Sequence, residues 1–241
     1  MINKIIFHSN RPYCKSDDGF QPEPSGRSIP EWFQKEDLYF KNPMTKQDYV
    51  TPEGFKVPTF KACPGILDLF TTGYVLKTPC DIEFYEESGK IKVKVPPMYE
   101  GFCGEREAMT SFPTPAGHED RHYHWWPNWA PELPEGYSAL YLTPMNRYDL
   151  PFTNTTGIID NDKFSTPGLL PFFLKKGWTG IIPAGTPYMQ IIPFKREDWE
   201  SDYVIHDMKE IMDRHAWTAK TFRTKDGGVY KKSFWTRRKY K

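Results

Sequence analysis

Over the first sixty residues, apolar and polar positions hold no sustained period. Ile2-Asn3-Lys4-Ile5-Ile6-Phe7 reads as an opening strand, after which Pro12, Pro22, Pro24, Pro30, Pro43, Pro52 and Pro58 interrupt the chain. Proline fixes φ and removes a backbone donor, so this stretch is expected to wrap a core as extended chain, anchored by Trp32, Phe33, Tyr39 and Phe40. One helical turn can begin at Ile29-Pro30-Glu31-Trp32-Phe33, with proline at its first position. Beyond it the period shortens to two. Gly73 to Lys77 is strand-like, and Asp81 to Tyr85 and Ile91 to Val95 alternate on either side of the Glu86 to Lys90 turn, which predicts a hairpin with one wet face. Residues 96–136 read as loop. Strands follow at Tyr137 to Leu142, Gly157 to Ile159, Leu169 to Leu174, Trp178 to Ile182 and Tyr188 to Ile192. After Pro193 the spacing of Trp199, Tyr203, Val204, Met208, Ile211, Met212 and His215 turns to three and four, which predicts an amphipathic helix over 198–219.

These elements predict a mainly β protein in four segments. Residues 1–60 are a proline- and aromatic-rich wrapping segment with an opening strand, 61–195 a β-rich core domain, 196–219 the amphipathic helix, and 220–241 a basic aromatic tail with a turn signal at Gly227-Gly228. Composition narrows the class. The 23 prolines exclude a coiled coil, and 39 aromatic residues exclude a disordered chain. No apolar run approaches the ~20 residues of a membrane-spanning helix, so no membrane partner is expected.

The net charge of +1 hides an asymmetry. Residues 220–241 hold nine Lys or Arg against Asp226, a net of +8, which leaves −7 on residues 1–219. Phe222, Tyr230, Phe234, Trp235 and Tyr240 are interleaved with these cations. Such a tail suits docking on a partner subunit or on the acidic body, with Lys231, Lys232, Trp235, Arg237 and Arg238 as contact residues; the alternatives are the grip of a nucleic acid and a free, solvated tail. Cys14, Cys63, Cys80 and Cys103 are too far apart in sequence for a CxxC motif. Met1-Ile2-Asn3-Lys4 does not open a secretion signal. Reduced thiols and a cytoplasmic location are therefore expected.

Gly157-Ile158-Ile159-Asp160-Asn161-Asp162 and the run Ile182 to Pro193, in order and separation, resemble two strands of the trimeric dUTPase and dCTP-deaminase superfamily. The resemblance implies a β-clip-like barrel or sandwich over residues 137–195 and a homotrimer, around which the proline-rich segments are expected to wrap as long loops. It makes Asp160 the residue that would orient a water. It departs from the family pattern at Lys163-Phe164, where a tyrosine is expected, and at Pro144-Met145-Asn146-Arg147, which stands in place of the phosphate motif. A wider likeness runs from Phe60-Lys61-Ala62-Cys63-Pro64 through Pro79-Cys80-Asp81-Ile82 and Pro134 to Ser138 into Leu150-Pro151-Phe152 and Pro193-Phe194-Lys195-Arg196. It is similar to a family of tailed phages of marine bacteria and of some bacteria, to which no activity is attached. That likeness implies phage or bacterial origin, a place in the host cytoplasm or the virion, and other phage proteins as partners.

Three clusters carry candidate chemistry. His118, Asp120, His122 and His124 could hold a divalent metal, since in an extended chain His122 and His124 share a face. His118-x-Asp120 also has the spacing of a facial triad, for which only His206 and His215 lie downstream. The plain alternative is a polar loop beside Trp125, Trp126 and Trp129. Asp160 and Asp162 could activate water or bind Mg²⁺ with a phosphate, or simply form a tight turn. Arg147 could clamp an anion, or pair with Asp149 or Asp160. Three functions follow: a β-rich oligomeric assembly or accessory protein without catalysis, a dUTPase-like nucleotide or small-molecule enzyme, or a metal-dependent enzyme using the His118 to His124 cluster.

Overall fold

A computed structural model of the chain describes residues 3–15, 20–52, 54–106, 112–166, 168–222 and 230–241. Contacts divide it into two units. The first combines Met1–Ser28, Thr72–Arg196 and Tyr240–Lys241, and the second Ile29–Thr71 and Glu197–Lys239. The 1–60 segment is thus shared between the two at Ser28. The Gly227-Gly228 turn lies outside the described residues.

The first unit holds all the named strands: β1 (Ile6–His8), β2 (Glu23–Pro24), β3 (Tyr74–Lys77), β4 (Ile82–Glu87), β5 (Lys90–Lys94), β6 (Cys103–Glu105), β7 (His118–Trp125), β8 (Ala130–Glu132), β9 (Tyr137–Leu142), β10 (Phe152–Asn154), β11 (Gly157–Ile159), β12 (Leu170–Lys175), β13 (Gly180–Ile182) and β14 (Pro187–Lys195). They form four antiparallel sheets. Their orders are β1-β8, β10-β12-β7-β6, β11-β9-β14-β3-β2 and β13-β4-β5, and among the described residues none closes into a barrel. The β4-β5 hairpin pairs Glu87 with Lys90 across Ser88 and Gly89, both at positive φ, as a two-residue turn matched to strand twist requires.

Residues 96–136, expected as loop, contain β6, β7 and β8. The period-two signal fails in β7 because His118, Glu119, Asp120 and Arg121 occupy its first half, and only Tyr123 and Trp125 mark the inward face. Trp125 is fully buried and stacks on Phe172 of β12 with ring centroids 4.0 Å apart. Its ring also meets Phe152 of β10 at 5.2 Å and Tyr188 of β14 at 5.0 Å, so one side chain joins the four-stranded and five-stranded sheets. Phe84 of β4 brings the three-stranded sheet to the same cluster through Tyr123, at 5.3 Å. The indole N–H of Trp125 donates to Asn154 Oδ1 at 2.9 Å, and Asn154 Nδ2 donates to the Tyr188 carbonyl at 2.6 Å.

The second unit contains α1 (Glu31–Lys35), α2 (Pro64–Thr71) and α3 (Met208–Phe222). Phe33 of α1 and Phe70 of α2 meet at 4.6 Å and, with Pro30, are its buried apolar side chains among the described residues. Lys61 Nζ donates to the Gln34 and Glu36 carbonyls at 2.6 and 2.7 Å, which satisfies acceptors that the end of α1 leaves open. The helix expected over 198–219 starts only at Met208. Asp207 caps it: its carboxylate accepts the Glu210 N–H at 2.9 Å. Asp207-x-x-Glu210 is a capping-box spacing, and it outweighs the apolar periodicity that extends upstream through Trp199 and Tyr203. Those upstream side chains are exposed, Trp199 and Tyr203 both at 87%.

Asn154→Ala would leave the buried Trp125 N–H without its acceptor and the Tyr188 carbonyl without its donor. The expected loss is roughly 2–3 kcal/mol of unfolding free energy, read from the midpoint of chemical denaturation at unchanged slope.

Candidate functional site

Asp160 and Asp162 lie in the turn that leaves β11. The Lys163 and Phe164 N–H groups both donate to the Asp160 carbonyl, at 3.0 and 2.9 Å, and close it. The two carboxylates converge on a residue from the far end of β14. Arg196 Nη1 donates to Asp162 Oδ1 at 2.9 Å while Nη2 donates to Oδ2, a forked pair. Nη1 also reaches the Tyr137 carbonyl and Ser138 Oγ, each at 3.0 Å, and Asp160 Oδ1 at 3.3 Å. Asp162 Oδ2 accepts the Gly136 N–H at 2.9 Å, and its side chain is 2% exposed. Asp160 accepts Ser138 Oγ–H at 2.6 Å and remains half exposed.

Three segments distant in sequence, 136–138, 160–162 and 196, are therefore tied by one guanidinium. The Arg196 pair, helped by the Gly136 N–H, holds the Asp162 carboxyl at about 2. Asp162 is thus ionised and saturated, so it is not free to bind a cation or to take a proton near neutral pH. Only Asp160 presents an oxygen to solvent. Sequence reasoning missed Arg196 as a functional partner because 34 residues separate it from Asp162.

Arg147 lies elsewhere. It grips Asp149, with Nε donating at 2.9 and 3.1 Å and Nη2 at 2.7 Å, and its side chain is largely buried. This contact lowers the Asp149 carboxyl. The geometry gives Arg147 the Asp149 pairing and gives Asp160 to Arg196.

His118, Asp120, His122 and His124 all fall on β7 at period two and so share the face opposite Tyr123 and Trp125. They do not converge. Among the described residues no group of three or more His, Cys, Asp or Glu side chains is disposed to hold a metal ion. Both His118 nitrogens are engaged, Nδ1 with the Ala116 carbonyl at 3.1 Å and Nε2 with Thr153 Oγ1 at 2.8 Å. A carbonyl only accepts, so Nδ1 is the donor to Ala116, and Nε2 is occupied by the threonine hydroxyl. His122 packs against Phe173 at 5.5 Å. His124 lies under Gly104 of β6, where a Cβ would come within 2.9 Å of its Cε1, so a larger residue there would push the imidazole aside. His122 Nε2 and His124 Nδ1 are buried without hydrogen-bond partners among the described residues. Burial first, and the nearby Arg106 second, lower both imidazoles below their ordinary value. His206, one of the two distal candidates, pairs with Glu210 at 2.9 Å in the second unit, and the other, His215, lies in α3 there.

Burial also raises the thiols of Cys14 and Cys103, and that of Cys80 to about 11. Raised thiols are poor nucleophiles. A recess of about 220 Å³ between Asp81, Glu83, Lys94 and Ile181 is smaller than the ~300–1,000 Å³ usual for small-molecule sites.

The tail residues fall in the second unit up to Lys239. Trp235 Nε1 donates to Asp68 Oδ2 on α2 at 3.0 Å, and Arg238 approaches the same carboxylate at 3.8 Å. Phe234 meets Trp217 of α3 edge to face at 5.8 Å. In the first unit, Tyr240 packs edge to face on Tyr74 at 5.7 Å. Lys231, Lys232 and Arg237 are exposed. No helix among the described residues is long and apolar enough to cross a membrane. No protein-family model matches this chain, and no curated protein matches it.

Two pH effects are expected. The buried imidazoles bind protons more weakly folded than unfolded, so their contribution is full above the unfolded value of about 6.5 and is lost as pH falls below it. His122→Gln with His124→Gln should flatten that limb of the stability curve. Asp162 contributes fully above the unfolded carboxyl value and loses its contribution as pH falls toward about 2. Asp162→Asn should lower stability at neutral pH and leave less to lose on acidification, as followed by thermal unfolding across pH.

Proposed function

We propose that the chain is a β-rich, non-catalytic assembly or accessory protein of phage origin, acting as a homo-oligomer in the host cytoplasm or the virion. One observation carries this reading. Of the 27 large apolar side chains exposed among the described residues, 17 belong to the second unit, whose buried apolar side chains among the described residues are Pro30, Phe33 and Phe70. A unit with so little core and so much exposed apolar surface gains most of its burial from a partner. The candidate catalytic groups support the same reading from the other side, since Asp162, Arg147 and His118 are each spent on partners within the chain.

A nucleotide-binding function on a dUTPase-like body is the second reading. It rests on Asp160, half exposed and held by Ser138. A thermal shift with deoxynucleotides that disappears in Asp160→Asn would support it.

For the assembly reading, light scattering behind size exclusion is expected to give a multiple of 28.3 kDa that persists on dilution. A single-chain mass at all concentrations would refute it. Mass spectrometry of purified particles then distinguishes a virion component from a host-cytoplasmic accessory.

A further inference from the structure

Resting on the assembly reading, the geometry points to a specific contact: residues 197–213 of one copy form an acidic, apolar arm that receives the basic segment 230–241 of another copy. The chain enters the arm directly after Arg196. From Glu197 to Asp207 it has no regular structure, and then α3 begins. Along this arm Trp199, Tyr203, Val204, Ile205, Met208 and Met212 are exposed, Ile205 at 98%. Two aromatics of about 150–250 Å² each and four aliphatic or thioether side chains bring the strip to the order of 800 Å², one side of a standard interface.

Charge selects the occupant. Residues 197–213 hold seven acids (Glu197, Asp198, Glu200, Asp202, Asp207, Glu210 and Asp213) against Lys209, a net of −6. Residues 230–241 hold six Lys or Arg and no acid, a net of +6. Two arms laid on each other would repel, so a self-complementary arm-to-arm dimer is disfavoured. An arm on a neighbour's basic segment pairs opposite charges and apolar surface together. Within one chain, Phe234 packs on Trp217 in the later part of α3, and Trp199, Tyr203, Val204, Ile205 and Met208 stay exposed. Trp235 and Arg238 hold the segment on Asp68, while Lys231, Arg237 and Lys239 face solvent. Two copies can make the arm-to-segment contact reciprocally about a two-fold axis, or several copies can make it head-to-tail around a ring. A nucleic acid on the same segment would leave the arm uncovered, and its phosphates would be repelled by the arm's carboxylates.

The test is charge reversal on the full chain. Asp198→Lys, Glu200→Lys and Asp202→Lys together should reduce the oligomer to 28.3 kDa, and so should Lys231→Glu, Arg237→Glu and Lys239→Glu together. Each altered side chain is exposed, so the melting temperature of the separated monomers serves as the check on folding. Trp199→Ser with Ile205→Ser should also dissociate the oligomer, and the effect should survive high salt, where charge is screened. An oligomer that persists through both reversals overturns the arm contact but leaves the assembly reading intact. A monomeric wild type overturns both. Loss of binding to a single-stranded oligonucleotide in the segment variant, with its mass unchanged, assigns the segment to nucleic acid instead.

Discussion

The burial of one indole governs the first unit. Trp125 can be sealed between two sheets only if its N–H finds an acceptor there, because an unsatisfied donor at that depth costs about 1–3 kcal/mol. Asn154 supplies the acceptor from β10 and turns its amide to the backbone of β14. Around this fixed polar point, Phe172, Phe152, Tyr188 and Phe102 close the ring contacts. Strand order follows, since β7 must lie beside β12 and face β14 for all of these contacts to exist together. The aromatic richness of the chain is thus concentrated around a point that hydrogen bonding, not apolarity alone, makes specific.

The second unit shows the contrary situation. Its helices are short or start late, its core rests on Phe33 and Phe70, and its large apolar side chains face outward from Leu38 through Phe60 and again from Trp199 through Met212. Apolar surface at that density is costly in water. Its presence beside segments of opposite charge, −6 and +6, ties the proposed assembly to a particular pair of surfaces rather than to general stickiness.

The candidate site illustrates how ionic groups divide between structure and chemistry. A carboxylate that a forked guanidinium and a backbone N–H already saturate has nothing left for a substrate, whatever its spacing suggests. Asp162 is in that position, as are Arg147 through Asp149 and His118 through Thr153 and Ala116. The imidazoles of His122 and His124 share a face as their spacing in an extended chain requires. A shared face, however, puts ligands side by side without aiming them at one point.

The residue pattern by itself determined the mainly β character, the hairpin across Ser88 and Gly89, and strands such as Tyr137–Leu142, because period two and turn chemistry are local properties. It also held the late start of α3, through Asp207 and Glu210, although apolar spacing obscured it. Tertiary structure alone decided that His118–Trp125 is a strand, since its outer half is polar and its pairing partners lie about fifty residues away on β12. It alone decided that Arg196 owns Asp162 and that Asn154 completes Trp125. Those partners are joined across 34 and 29 residues by hydrogen-bond geometry, which leaves no periodic trace in the chain.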